Sequence, residues 1–548
     1  MGLLSLHSKQ YDHALEWISR AIRQQPKADY LAGLGNALLN LGRPEEALAT
    51  FEKAVQLKPD HPTSWRNLGI ALADVGRSED AILSFQRALG LNPGDWAAAD
   101  KCGSILFGLG RMEEALNYLD RSDKLLPNQA PILQKRAIAL YGLNRLEEAL
   151  TEIKRAHELE PGNADICNSV GVFLRRLGRE EQALAWFDRA LEIRPNSIAA
   201  RSNKSFALSQ LHRFADAIAV YDEVEATDPG KAEADLYASL LHLLTGNFEL
   251  GWAGRESRTK VSSPQIVRLE FSQPRWLGEE RIDGKTILLH TDEGLGDAIQ
   301  FLRYVPMVAA LGARVVVVVP DALCPLLSGL KGVSQCIPLS AGKLPAFDMY
   351  CELSSLPLAF GTRLDSIPFT APYLSARAES SSIWEARLGA RDRLRVGLVW
   401  SGNPEHRNDY NRSMPLSMLA PILDVGARFL SLQKDPRPDD KAFLLARPEI
   451  VDYTAQLTDF AETAALISCL DLVITVDTSV AHLAGALGCP TWILLPYTPD
   501  WRWLLDRDDS PWYPSVRLFR QDETRDYTGV VTRVREELVA MISARKSQ

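Results

Sequence analysis

Three short runs in the C-terminal half of the chain place glycines, hydroxyls and charges where an apolar stretch gives way to a helical pattern. The first is His290-Thr291-Asp292-Glu293-Gly294-Leu295-Gly296-Asp297. Gly294 and Gly296 let backbone amides approach a ligand, and the helix start there favours an anion. Taken alone, Asp297 serves equally well as a cap on that helix. The second run, Trp400-Ser401-Gly402-Asn403-Pro404, has His406, Arg407 and Arg412 in the loop behind it. A small hydroxyl, a glycine and cationic side chains can hold a diphosphate without a metal. The third run opens with Asp477, Thr478 and Ser479 and carries His482 about one turn further in. Hydroxyls and free amides at a helix start make another anion site, although a lone histidine there is usually structural. Three such strand ends together point to a phosphorylated ligand.

These runs must be held by strands. Thr286–His290, Arg314–Val319 and Phe347–Cys351 read as strands of one lobe, with helices at Asp297–Leu311 and Leu323–Leu330. Leu394–Trp400, Phe429–Gln433, Leu472–Val476 and Thr491–Leu495 read as strands of a second, with a helix at Ala461–Leu470. Alternation of short apolar strands and helices is the mark of parallel α/β architecture, whose ligands sit outside the C-terminal strand ends. Neither lobe has a G-x-G-x-x-G fingerprint in the right place, and there is no Walker A loop. The lobes are expected at 285–390 and 391–525, after a connector at 256–284. An amphipathic helix is expected at Val530–Ala544, within a last segment at 526–548.

The first 255 residues have a different texture. Small residues recur about every 34 positions, at Ala14, Ala47, Ala81, Ala115, Ala149, Ala183 and Ala217. A proline ladder at Pro26, Pro59, Pro93, Pro127, Pro161, Pro195 and Pro229 ends each unit, because proline supplies no backbone donor. Gly35, Gly69, Gly103 and Gly171 stand where paired helices must approach closely, and Phe51, Phe85 and Phe187 fill the gap. This pattern resembles the tetratricopeptide repeat, an all-α solenoid over 1–255. It reads as a partial first unit to Lys27, about six full units and a divergent last one at Lys231–Arg255. Asn67 and Asn203 are candidates for a peptide groove, since an asparagine amide satisfies both a backbone donor and an acceptor.

Composition sets the outer limits. The chain has 548 residues, 46% hydrophobic and 24% charged, enough for three or four domains with real cores. A net charge of −9 gives no global reason to expect nucleic acid or an anionic membrane as partner. The seven cysteines form no C-x-x-C pair, so buried thiols in a reducing cytoplasm are expected. No signal peptide and no membrane span are expected either.

The C-terminal residues also carry a resemblance. Lys285–Glu537 resembles a GT-B glycosyltransferase of the heptosyltransferase-like group, on Asp292–Asp297 with Gln300, Phe301, Arg303 and Tyr304, on Val396–Asn403, and on Asp477–Gly488. The stretch from Leu494 to Trp503, followed by Ser510-Pro511-Trp512-Tyr513, is similar to the subgroup that joins tetratricopeptide repeats to such a module. More distantly, the plan resembles the protein O-GlcNAc transferases.

The resemblance implies a two-lobed double Rossmann-like module behind the solenoid, with the last helix crossing back to the first lobe. It implies Asp297 as general base for an acceptor hydroxyl. Gly294, Gly296, Ser401, Gly402, Arg412, Asp477, Thr478, Ser479 and His482 are then expected around the donor diphosphate, with Ser479 standing where the family has glycine. Asn403, Gln433, Lys434, Tyr497 and Trp501 are weaker candidates for nucleobase or sugar contacts. The expected activity is inverting, metal-independent transfer from a nucleotide-sugar to Ser or Thr of a protein such as flagellin, presented by the repeats. No cofactor or metal is expected, and the solenoid faces would serve equally for a homo-oligomer. A glycan or lipopolysaccharide-core transferase, and a scaffold with a degenerate GT-B fold, are the alternatives.

Overall fold

The computed structural model describes residues 10–224, 228, 230–261, 266–368, 372–406 and 408–546. Pro229, Arg407 and the start of the partial opening unit lie outside the described residues. Thirteen helices run from Tyr11 to Asp222. The alanine ladder is fully buried at Ala47, Ala81, Ala115, Ala149 and Ala183. A Cβ on Gly35 would stand 2.5 Å from the Phe51 ring, and one on Gly171 2.4 Å from the Phe187 ring. Glycine at those positions is what admits the aromatic side chain of the paired helix. Rungs at a spacing of one repeat join successive first helices. Lys135 Nζ donates to Asp100 Oδ1 at 2.9 Å, and Asn203 Nδ2 donates to Asn168 Oδ1 at 3.0 Å. Asn203 is thus engaged within the array, while Asn67 is buried with its Nδ2 unpartnered.

The chain forms two compact units, Met1–Ala207 and Leu208–Gln548. Residues 208–255, which the repeat period assigns to the solenoid, are therefore part of the second unit. The reason is a shared core. The helices Lys231–Leu244 and Phe248–Arg255 bury Leu243, Leu244, Phe248 and Trp252 in one cluster with Phe301, Leu302 and Trp512. Trp252 meets the Trp501 ring edge-on at 5.3 Å, and its Nε1 donates to the Thr362 carbonyl at 2.9 Å.

The first lobe has strands β1 (Thr286–His290), β2 (Arg314–Val319), β3 (Val333–Pro338) and β4 (Met349–Glu352), all parallel in the order β3-β2-β1-β4. The single helix expected at Asp297–Leu311 is instead a helix Leu295–Phe301, a 3-10 turn Leu302–Tyr304 and a helix Val305–Ala310. Pro306 has no N–H to continue one ladder through that turn. The second lobe has β5 (Arg395–Val399), β6 (Arg428–Ser431), β7 (Ile450–Asp452), β8 (Leu472–Val476), β9 (Thr491–Leu495) and β10 (Val516–Arg520). These strands are also parallel, in the order β10-β9-β8-β5-β6-β7. The winding direction reverses between β5 and β8, which opens a crevice outside their C-terminal ends. Both sheet faces are covered: Val473, Ile493 and Leu495 point into the core shared with the first lobe, Leu472, Ile474 and Leu494 into the opposite one.

One expectation is corrected here. The last helix, Tyr527–Lys546, does not cross to the first lobe. Its Tyr527, Val530, Val531, Val534 and Leu538 pack in one cluster with Val396, Leu398, Leu416 and Phe429 of the second lobe. Their apolar side closes the outer face of that sheet, so nothing is left to drive the helix elsewhere. The lobes are instead stitched by the segment between them. The Tyr373 and Leu374 amides donate to the Ala486 carbonyl, and Trp384 Nε1 donates to Glu462 at 3.0 Å. All seven cysteines are free thiols, and no described helix is long and apolar enough to cross a membrane. Leu538 is fully buried, so Leu538→Ala should cost about 2–5 kcal/mol, read as a lower denaturant midpoint of the second unit. An unchanged midpoint would mean that the last helix is not part of that core.

Candidate active site

At the end of β5 the chain turns at Ser401, which is buried and whose hydroxyl has no hydrogen-bond partner. Gln433, after β6, shapes this turn: its Oε1 accepts from the amides of Trp400 and Ser401 at 3.3 and 3.0 Å. That carbonyl is spent on the loop and is not offered to a base, and Lys434 beside it is exposed. The Gly402 amide donates to Ser413 Oγ at 2.9 Å, and a Cβ on Gly402 would lie 2.7 Å from Arg412 Nη2. Glycine therefore lets the Arg412 guanidinium lie against the loop. Arg412 Nη1 donates to the Asp477 carbonyl at the end of β8 at 3.2 Å, while its buried Nε has no hydrogen-bond partner and lies 3.8 Å from Asp409 Oδ1. Asn403 is exposed, and its side chain accepts from the Glu405 amide at 3.0 Å, closing the turn.

At the end of β8, Thr478 precedes the helix Ser479–Ala486 in an extended conformation, its Oγ1 3.2 Å from Thr475 Oγ1. His482 is buried one turn in, with Nδ1 2.9 Å from the Tyr513 hydroxyl and its ring stacked on Trp503. Burial, reinforced by the Arg502 charge, holds its pKa well below the ordinary value, so the imidazole is neutral. Asp477 is pushed up to about 6 by burial and by Asp500, against the pull of Arg502 and Arg412.

The first lobe supplies the opposite wall. The helix Leu295–Phe301 starts behind Gly294, and a Cβ on Gly296 would lie 2.9 Å from His482 Cδ2. Asp297 follows one residue later and forms an ion pair through Oδ1 with Arg502 Nη2, from the loop after β9. Arg502 also donates from Nε to Gln300 Oε1 at 2.6 Å and from Nη1 to Asp500 Oδ1 at 2.7 Å. Burial raises the Asp297 pKa and Glu293 adds to the rise, which Arg502 and Arg255 only partly offset. A carboxylate with raised proton affinity is a better proton acceptor than a free aspartate.

Two weaker candidates face elsewhere. Trp501 is buried against Trp252 and Trp512 and carries the guanidinium groups of Arg255 and Arg502 over its ring, at 5.5 and 4.4 Å. Tyr497 stacks on His212 with centroids 3.8 Å apart. Both therefore pack the module. Three residues of the site have no local signal of their own: Arg255, Asp500 and Arg502. Only the tryptophans flanking Arg502 hint that its surroundings are buried.

The first lobe has a switch point too, between β1 and β4, and it is filled from within the chain. Arg258, fully buried, donates from Nε to Asp292 Oδ2 at 2.8 Å and from Nη2 to Ser355 Oγ at 2.5 Å. Glu256 joins this network. Burial works against its ionisation, but Arg258 and Arg275 outweigh that and hold its pKa below the usual range.

Comparison with known proteins agrees with this architecture. Tetratricopeptide repeat models match at residues 6–62, 32–96, 66–130, 135–198 and 207–251. The model of glycosyltransferase family 9 (heptosyltransferase) matches at residues 453–533, which hold Asp477 to His482, Asp500 and Arg502. The chain thus combines tetratricopeptide repeats with a glycosyltransferase family 9 domain in a parallel-sheet module of GT-B type. It is 26% identical over 309 residues to Protein FlbA of Caulobacter vibrioides, covering 50% of each protein. The chain spans about half the length of that curated relative. Among solved structures it is similar to YrrB, a TPR protein with an unusual peptide-binding site, at 26% identity and TM-score 0.33, over 34% of this chain and 97% of that one. MamA of Desulfovibrio magneticus is similar at 23% identity and TM-score 0.30, over 31% of this chain and 97% of that one.

Asp477 yields a test of the site's electrostatics. Its folded-state pKa of about 6 exceeds the ordinary aspartate value, so the folded form binds more protons between about pH 4 and 6. Stability is therefore lost as pH rises through that window. Asp477→Asn should raise the melting temperature at pH 7.5 by on the order of a few degrees and leave it unchanged near pH 4. Equal shifts at both pH values would show that Asp477 is not a strained charge.

Proposed function

We propose that this protein is a glycosyltransferase that moves a sugar from a nucleotide-sugar to a hydroxyl acceptor by single inversion at the anomeric carbon, without a metal. One observation carries the reading. At the β5/β8 switch point a buried hydroxyl, Ser401 Oγ, and a buried guanidinium nitrogen, Arg412 Nε, lack hydrogen-bond partners, beside the start of the helix Ser479–Ala486, and Asp409 Oδ1 comes no nearer to that nitrogen than 3.8 Å. Buried polar groups are rarely left unsatisfied, and a diphosphate supplies acceptors for both. The family 9 match over the same lobe supports the choice of a sugar donor.

Each residue then has a task. Arg412 and the free amides at Thr478 and Ser479 neutralise the leaving nucleoside diphosphate as the glycosidic bond breaks. Asp297 accepts the proton of the acceptor hydroxyl as its oxygen attacks. Neutral His482 and Gly296 bring the two lobes into contact, so reacting groups are aligned without further closure at that point. The repeats support a protein acceptor, with Ser or Thr of a surface protein such as flagellin as the substrate class and a cytoplasmic site of reaction.

Calorimetry with UDP, GDP, ADP and CDP tests the donor site. One nucleotide should bind regardless of EDTA, and Arg412→Met should weaken it about tenfold to hundredfold. Absence of binding by all four would favour a repeat scaffold with a degenerate transferase fold. Asp297→Asn should keep that binding and lower transfer about 100- to 10,000-fold. Full turnover in this variant would remove the base assignment.

A further inference from the structure

The carboxylate of Asp297 is approached by two guanidinium groups from different modules. Arg502 reaches it from the second lobe. Arg255, the last residue of the terminal repeat helix Phe248–Arg255, places Nη2 3.7 Å from Asp297 Oδ1 while pairing with Glu293. Arg255 is buried, and its Nε has no partner. The segment after this helix grips the same loop twice more. Arg258 pairs with Asp292, and the Val267 amide donates to the Asp292 carbonyl at 2.9 Å. The stretch Asp292–Asp297 is therefore anchored along its length by residues of the last repeat and of the segment that leaves it.

We propose that Arg255 is a positioning residue for Asp297, so that the terminal repeat is a structural part of the transfer site and not only a platform for an acceptor. The proposal rests on the reading of Asp297 as base. It follows from the charges around that carboxylate. Arg502 and Asp500 face it from the loop after β9, Glu293 from its own loop and Arg255 from the repeat helix. Asp477 stands at the end of β8, His406 in the loop after β5, and neutral His482 touches Gly296. Without Arg255, Glu293 and Asp297 face one another with one cation fewer. Two neighbouring half-buried carboxylates short of a cation tend not to stay ionised together, and a protonated Asp297 accepts no proton. Loss of Arg255 should therefore disable the base by protonation, an effect that higher pH reverses. Lysine at the same position keeps a positive charge but not the planar guanidinium whose Nη2 stands between both acids.

A double-mutant cycle in the full chain tests this without substrate. Urea midpoints of the wild type, Arg255→Met, Asp297→Asn and the double variant are compared at pH 8 and pH 5. At pH 8, Arg255→Met should lower the midpoint more in the wild-type background than in the Asp297→Asn background, and the difference should shrink at pH 5. Additive shifts at both pH values would overturn the proposal. Turnover of the nucleotide-sugar whose nucleotide binds supplies the second readout. The acid limb should move up by about one pH unit in Arg255→Met, and Arg255→Lys should recover part of the shift. A loss equal at every pH would mean that Arg255 is merely structural. If the Met variant does not fold, Arg255→Lys alone decides, by an acid limb displaced or unmoved. Turnover retained in Asp297→Asn is a different result and removes the base reading itself.

Discussion

A buried guanidinium that cannot give up its proton is the fixed point of the α/β module. Arg502 is largely sequestered from solvent, so its charge must be answered by groups brought to it. Asp500 answers from its own turn, while Asp297 and Gln300 answer from the other lobe, about 200 residues away in sequence. The rest of the cleft is arranged around that demand. His482 stays neutral beside it, because burial and the Arg502 charge both disfavour its cation. Gly296 has no side chain, because the two lobes meet there at van der Waals distance. Trp501 and Trp503 keep water away from the ion pair, which strengthens it.

The two α/β lobes look alike in topology but use their switch points differently. In the second lobe the crevice between β5 and β8 presents polar atoms without hydrogen-bond partners. In the first lobe the equivalent place between β1 and β4 is occupied by Arg258, tied to Asp292, Glu256 and Ser355. A side chain from the connector thus sits where a ligand would otherwise enter. The terminal repeat and the first lobe share one hydrophobic core through Trp252, so connector and repeat hold this plug in place.

What the sequence makes legible follows from how locally each feature is encoded. The repeats show themselves because every unit buries the same small and aromatic positions. β1, β2, β5, β8 and β9 are apolar runs because they are buried in the interior of parallel sheets. β3, β7 and β10 escape the pattern, and all three are edge strands. Val333–Pro338 leaves Ser334 and Gln335 exposed, so it has no continuous apolar run to read. Ser401, Arg412 and Asp477 can be picked out because strand end, glycine and hydroxyl lie together in the chain. Arg255 and Arg502 cannot, since their meaning comes from a carboxylate in another module. The same holds for the limit of the solenoid: the repeat period continues to Arg255, but packing assigns Leu208–Arg255 to the second unit.

The place of the last helix has a mechanical consequence. Because Tyr527–Lys546 stays on the second lobe, the described chain passes between the lobes once, through the segment that carries Tyr373 and Trp384. Two bodies joined by a pair of strands can only hinge, whereas two joined by one can also swivel. Resistance to swivelling must then come from contacts that are not covalent, among them the apolar core that the lobes share and the ion pair between Arg502 and Asp297. Any ligand that competes for the Asp297 carboxylate therefore also loosens the joint.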